Sequence, residues 1–200
     1  MADYPISVAM PQERAINRWW GLLWFGIVVR AILLIPELII LVAIGFLVVL
    51  SQIILWIPIL LLGKVPDWYQ KLVGASLNRQ ARTNAYGLLV PGGYPDLNVG
   101  GQGPVQVQVN AEGRSINRLW GIPLIGSCAR IIALIPHFIV LGVLYVGMYV
   151  YVLLVWIPIL INGRYPELAA KFMGVVLNYG TRISGYMLFL PVPYPPFDFS

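Results

Sequence analysis

The chain has 200 residues, 59% of them apolar and 10% charged, with a mean hydropathy of +0.80 and a formal net charge of +5. Soluble domains run at about 45–50% apolar and about 25% charged, so this composition excludes an ordinary water-soluble domain; it also excludes disorder, which needs low hydrophobicity and high charge. The single cysteine, Cys128, excludes a disulfide framework, and the single histidine, His137, excludes a multi-histidine metal or haem site within one chain.

The class that remains is an integral membrane protein. The N-terminus lacks the ordered basic, apolar and small-residue regions of a secretory signal, so the first apolar segment is expected to be kept. Ile6–Met10 reads as a weak strand. The first apolar stretch then runs from Trp19 to Leu62, broken only by Arg30 and Glu37 and divided at Ile35-Pro36. Leu38–Leu62 is uncharged and longer than the roughly 20 residues that span a bilayer. Trp19–Ile35 is shorter, a spanning or embedded helix. Pro36 suits a first helical turn, Pro58 a kink, and Gly63 with Pro66 a helix end. Asp67–Val90 is too polar at its start to span and too apolar to leave the membrane, which predicts an interfacial amphipathic helix. On it Lys71, Gly74, Asn78 and Arg82 share one face.

A Gly-rich joint, residues 99–104, separates this unit (1–98) from a second one (105–200). Val105–Val109 alternates as a short strand, and the strands near 5–10 and 104–110 are expected to pair on the membrane surface. The second apolar stretch, Leu119–Ile161, is broken by Arg130 and His137 and divides at Ile135-Pro136. Glu167–Leu190 repeats the interfacial segment, with Lys171, Gly174, Asn178 and Arg182 as its stripe. Comparing residue n with residue n+100 from Arg14 to Pro95 gives 31 identities in 82 pairs without a gap. RAINRWWG meets RSINRLWG, and WIPIL meets WIPIL. The sequence therefore reads as one unit in tandem duplicate. The fold class expected is an all-α membrane protein of two repeats.

Basic residues flank each apolar stretch on both sides, and basic loops disfavour translocation. A helical hairpin in each copy satisfies this, with Arg30 and Glu37, or Arg130 and His137, at its outer turn. It makes the chain a multi-pass protein of the inner (cytoplasmic) membrane with cytoplasmic termini. The rival is one span per copy with the two copies inverted. Trp19, Trp20, Trp56, Trp120 and Trp156 fall at segment ends, as an interfacial belt does.

No paired carboxylates, phosphate loop or metal-ligand cluster stands out. Cys128 has no histidine near it in sequence, and His137 is either a structural residue or a single axial ligand. The chain is therefore read as a non-enzyme with no cofactor, and nothing points to nucleic acid. Lys71, Asn78, Arg82, Lys171, Asn178 and Arg182 are the candidates for binding anionic lipid headgroups or a partner surface.

LIPH at Leu134–His137, GRYP at Gly163–Pro166 and GYMLFLPVPYPPF at Gly185–Phe197 resemble a family of bacterial membrane domains of unknown function. The first copy departs from that pattern with LIPE, GKVP and YPDL. The resemblance implies a membrane fold and no activity. The function expected is a non-catalytic scaffold or accessory subunit of a larger membrane complex, in contact with anionic lipid, other subunits or a second copy. The alternative is a small transporter or channel, for which Arg30 and Arg130 are the residues of interest.

Overall fold

The computed structural model describes residues 4–22, 25–95 and 103–199. Most of the joint at 99–104 lies outside them. The chain forms β1 (Ile6–Ala9), a 3-10 turn (Arg18–Gly21), α1 (Phe25–Leu33), α2 (Ile35–Leu62) and α3 (Asp67–Gly87). It continues with β2 (Gln106–Val109), a second 3-10 turn (Arg118–Gly121), α4 (Ile125–Asn162) and α5 (Glu167–Met187). Two of the helices, α2 and α4, are long and apolar enough to cross a membrane.

The expected hairpin turns at 30–37 and 130–137 are not there. α4 runs unbroken through Pro136 for 38 residues, about 57 Å. In the first half Leu34 has helical angles (φ −77°, ψ −10°), its N–H donates to the Arg30 carbonyl, and Leu38 N–H donates to Leu34. A proline deletes one hydrogen bond and kinks a helix; it does not reverse the chain. Reversal comes at the next turn instead. Gly63 and Gly163 take left-handed angles (φ 65° and 63°), and their N–H groups close on the carbonyls of Ile59 and Ile159. Pro66 and Pro166 then start the next helix in extended conformation. Antiparallel pairing follows: Gln52 meets Tyr69, Glu37 meets Arg79, and Arg30 meets the carbonyl of Tyr86.

Each long helix touches the body along a narrow stripe. On α2 the buried residues are Glu37, Ile44, Val48, Leu55 and Ile59, at steps of seven and four. Leu38, Ile39, Val42, Phe46 and Ile53, on its other faces, are exposed. α4 repeats this with Arg130, Leu134, His137, Met148, Val152, Val155 and Ile159 buried. A seam this narrow leaves most of the circumference of each helix apolar and exposed.

α3 and α5 do not lie on a surface as expected of interfacial helices. They pack on each other, on the long helices and under the sheet. Asn78 Oδ1 accepts from Val107 N–H (3.0 Å), and Arg82 Nε donates to the Val105 carbonyl (3.2 Å). Gly74 faces Val109. β2 thus runs antiparallel to α3. β1 runs antiparallel to α5, with Arg182 on the Ile6 carbonyl and Gly174 against Met10. The strands pair as the alternation suggested, antiparallel, with Val8 opposite Val107. It follows that α3 opposes α5 in direction, and α1–α2 opposes α4. Ser7, Ala9, Gln106 and Gln108 form the exposed outer face of the sheet.

The N-terminal arms are exchanged. The turn Arg18–Gly21 packs on α4, and the turn Arg118–Gly121 packs on α2. Ala15 bridges to Arg164 and Lys64 to Ser115. Ile16 N–H donates to the Gly163 carbonyl (3.1 Å) and Ile116 N–H to Gly63 (2.9 Å). Asn17 and Asn117 start the two turns with the same angles (φ −62°, ψ 127°), each accepting from the N–H two residues on.

Glycines make the arms' close approach possible. A Cβ on Gly26 would overlap the Trp20 carbonyl, whereas one on Gly45 would meet nothing within 4 Å. Gly26→Ala is expected to destabilise the protein by about 1–3 kcal/mol, read as a lower thermal midpoint in detergent. Gly45→Ala is expected to leave the midpoint unchanged or raise it, because alanine is the better helix former.

Candidate functional site

Within the seams of the long helices sit four polar side chains, Arg30, Glu37, Arg130 and His137, all at most 2% exposed. The sequence put them at outer turns; each instead faces the following helix. Arg30 Nη1 donates to the Tyr86 carbonyl (2.7 Å) at the C-terminal end of α3, and its guanidinium lies over the Trp20 and Tyr86 rings (4.8 and 4.5 Å). Arg130 likewise donates to the Tyr186 carbonyl and lies over Trp120, Tyr186 and Phe189. A cation against the last carbonyls of a helix is stabilised by the helix dipole, and aromatic faces attract it further. Trp20 and Trp120 serve here as walls of a guanidinium box rather than as members of an interfacial belt.

Two turns further, Glu37 lies along one edge of the Arg79 guanidinium: Nη2 donates to Oε2 at 2.7 Å, and Nε lies 2.6 Å from Oε1. The Thr83 hydroxyl lies 3.2 Å from Oε1. The second half carries a different pair at the same positions. His137 Nδ1 lies 2.6 Å from the Tyr179 hydroxyl, and its ring stacks on Phe197 at 4.1 Å. His137 Nε2 has no hydrogen-bond partner among the described residues. Sequence reading missed Arg79 and Tyr179 as partners. The signal was present: residues 37 and 137 differ, 79 and 179 differ, and each pair is 42 positions apart.

The candidate stripe divides. Asn78, Arg82 and Arg182 hold the backbone of the sheet, and Arg182 also reaches the Asp198 carbonyl. Asn178 is half-buried at the equivalent place. Lys71 and Lys171 stay at the surface. All thirteen cations sort in this way. Arg30, Arg79, Arg82, Arg130 and Arg182 are buried; Arg14, Arg18, Lys64, Lys71, Arg114, Arg118, Arg164 and Lys171 are exposed. These eight gather where α2 and α4 end and the opposite arm crosses. There Glu167 bonds Arg14 (3.0 Å) and Lys171 (2.9 Å). The hydrogen bond from Lys171, then that from Arg14, holds the Glu167 carboxyl below the usual carboxylate range. That link is present above the carboxylate's ordinary value and is lost as pH falls through the lowered one.

Cys128 is a free, exposed thiol near the start of α4. Among the described residues no group of three His, Cys, Asp or Glu side chains could hold a metal ion.

Residues 126–198, which cover most of α4, all of α5 and the tail behind it, match the sequence profile of a family described as a domain of unknown function (DUF4389). No curated protein and no solved structure matches the chain.

The paired difference at 37/79 and 137/179 gives a direct test. Arg79→Leu leaves the Glu37 carboxylate buried without its cation and is expected to cost about 3–5 kcal/mol. Glu37→His combined with Arg79→Tyr copies the other half's pair into the first. It should destabilise by less than the sum of the two single changes, with a coupling of at least about 1 kcal/mol in a thermal double-mutant cycle.

Proposed function

We propose that the protein is a non-catalytic membrane module built from two copies of one unit. It lies in the cytoplasmic leaflet of the inner membrane and serves as a scaffold or accessory subunit. The observation that carries this reading is the position of the sheet. Through α3 and α5 it lies beside the middle of the long helices: Asn78 and Arg82, which hold β2, flank Arg79 and Thr83, which hold Glu37. An open sheet edge with exposed glutamines is not tolerated in hydrocarbon. Helices standing across a bilayer would put it there. Helices lying along the membrane plane keep the sheet in water and sink their apolar outer faces into one leaflet. The eight exposed cations then meet anionic headgroups at both ends of the molecule.

Duplication of one unit is supported by the sequence identities and by the matched backbone at Asn17 and Asn117, Gly63 and Gly163, and Leu89 and Phe189 (φ 61° and 60°). The transport alternative has less behind it, since the guanidiniums of Arg30 and Arg130 are engaged by helix ends and aromatic rings.

Single cysteines at Lys64 and at Arg164, each in a Cys128→Ser background, separate the arrangements. Because α1–α2 opposes α4, helices crossing the membrane would put these two positions on opposite sides. The in-plane arrangement expects both to react with an impermeant maleimide from the same side of sealed vesicles; reaction from opposite sides overturns it. For the scaffold role, native mass spectra of the gently solubilised protein are expected to carry bound subunits or lipid, and a bare monomer counts against it.

A further inference from the structure

Between the two long helices, on the face of α3 turned away from the sheet, lies a cleft of about 460 Å³. We propose that it is a binding site for the headgroup of an uncharged glycerolipid, of which diacylglycerol is the simplest. The proposal rests on the membrane reading above. Gln80 and Asn84 each stand two residues beyond a sheet-holding position, roughly 200° around the helix, and so point to the opposite side. With Ser184 of α5 they form a polar roof. Tyr145 and Tyr149 of α4 form one wall, and Leu34 and Leu38 the other.

Two features define the occupant. The first is unmet hydrogen bonding. The side chains of Gln80, Asn84 and Ser184 and the hydroxyls of Tyr145 and Tyr149 make no hydrogen bond to any described residue. By contrast Thr83 beside them is bound to Glu37 and Thr181 to the Leu177 carbonyl. On a face whose neighbours Ile35, Ile39 and Val146 are more than half exposed, amides and hydroxyls need polar partners. The second is charge. Among the described residues no charged side chain lines the cleft, and Arg79, next to Gln80 on α3, is bound to Glu37. A phosphate would find no counter-charge. A glycerol carrying one free hydroxyl and two esters offers a donor and several acceptors without charge, and its acyl chains leave along Leu38 and Tyr149. The volume is within the range of small-molecule sites.

The cleft arises where the two halves differ. Gln80 faces Gly180 in the comparison of halves, Tyr145 faces Gly45, and Tyr149 faces Val49. Gly180 keeps the space open; a Cβ there would come 3.5 Å from the Tyr145 hydroxyl.

The test uses the full chain in vesicles of phosphatidylcholine and phosphatidylglycerol containing a photoactivatable diacylglycerol. Flotation with the vesicles reports membrane association separately. Cross-links are expected on peptides containing Tyr145 and Tyr149, and the same label on phosphatidylglycerol should not reach them. Gln80→Leu with Asn84→Leu should cut that labelling roughly thirtyfold, as expected for the loss of two hydrogen bonds of about 1 kcal/mol each. Gly180→Leu, which fills the space, should do the same while flotation is unchanged. Undiminished labelling in both variants, or labelling spread evenly over the outer faces of α2 and α4, overturns the site alone. Failure to float overturns the membrane reading and the site with it.

Discussion

A helix that is apolar on nearly every face cannot be oriented by hydrophobicity alone. Against lipid, packing leucine on leucine gains little over leaving it in the acyl chains. α2 and α4 are such helices, and the side chains that choose their inward face are the polar ones. Arg30 and Glu37, or Arg130 and His137, sit seven residues apart on the seam. Each would be costly in hydrocarbon, so rotating the helix by one position would expose two unmet polar groups. The apolar seam residues Ile44, Val48, Leu55 and Ile59 then follow in register.

The same two anchors fix α3 and α5. The guanidinium of Arg30 holds the last carbonyls of α3, while Glu37 holds its middle through Arg79. With two points fixed, the face of α3 that carries Asn78 and Arg82 meets the backbone of β2, and Arg182 of α5 meets that of β1. A two-stranded sheet is marginal by itself in water; here Asn78, Arg82 and Arg182 each bond one backbone group at its edges. Exchange of the arms makes the halves mutually dependent. Gly21 rests on the backbone of Leu160 (a Cβ would stand 2.7 Å from its nitrogen), and Gly121 rests on Leu60. The arm of the opposite half packs over the C-terminal end of each long helix.

Much of this was legible in the residues. The two apolar helices, the helices after them, the glycine ends and the strand pairing all follow from periodicity, composition and the offset of one hundred. The turn at Pro36 was misread because a charge inside an apolar run normally marks a return to the surface. Arg30 and Glu37 are tolerated within the run because their partners arrive 56 and 42 residues later, and spacing across a helix–turn–helix is invisible to a local reading. The stripe at Lys71, Asn78 and Arg82 suggests a surface for lipid headgroups or a partner for a related reason. A polar helical face looks the same in sequence whether it meets water or the open backbone of a sheet.

The two halves compare in three different ways, and the comparison separates the forces at work. Between residues 42 and 55 the halves keep no identity at all, yet stay almost wholly apolar. At 37 and 79 they differ as a pair, carboxylate with guanidinium in one half and imidazole with phenol in the other. A buried polar group tolerates change only together with its partner, because one left alone carries the full desolvation cost. At 30, 82 and 86 they do not differ. These residues bind, or present, main-chain atoms, and the main chain offers the same carbonyls whatever the side chains become. At these positions, then, the residues shared by both halves bind or present main-chain atoms, while the side-chain partners change together.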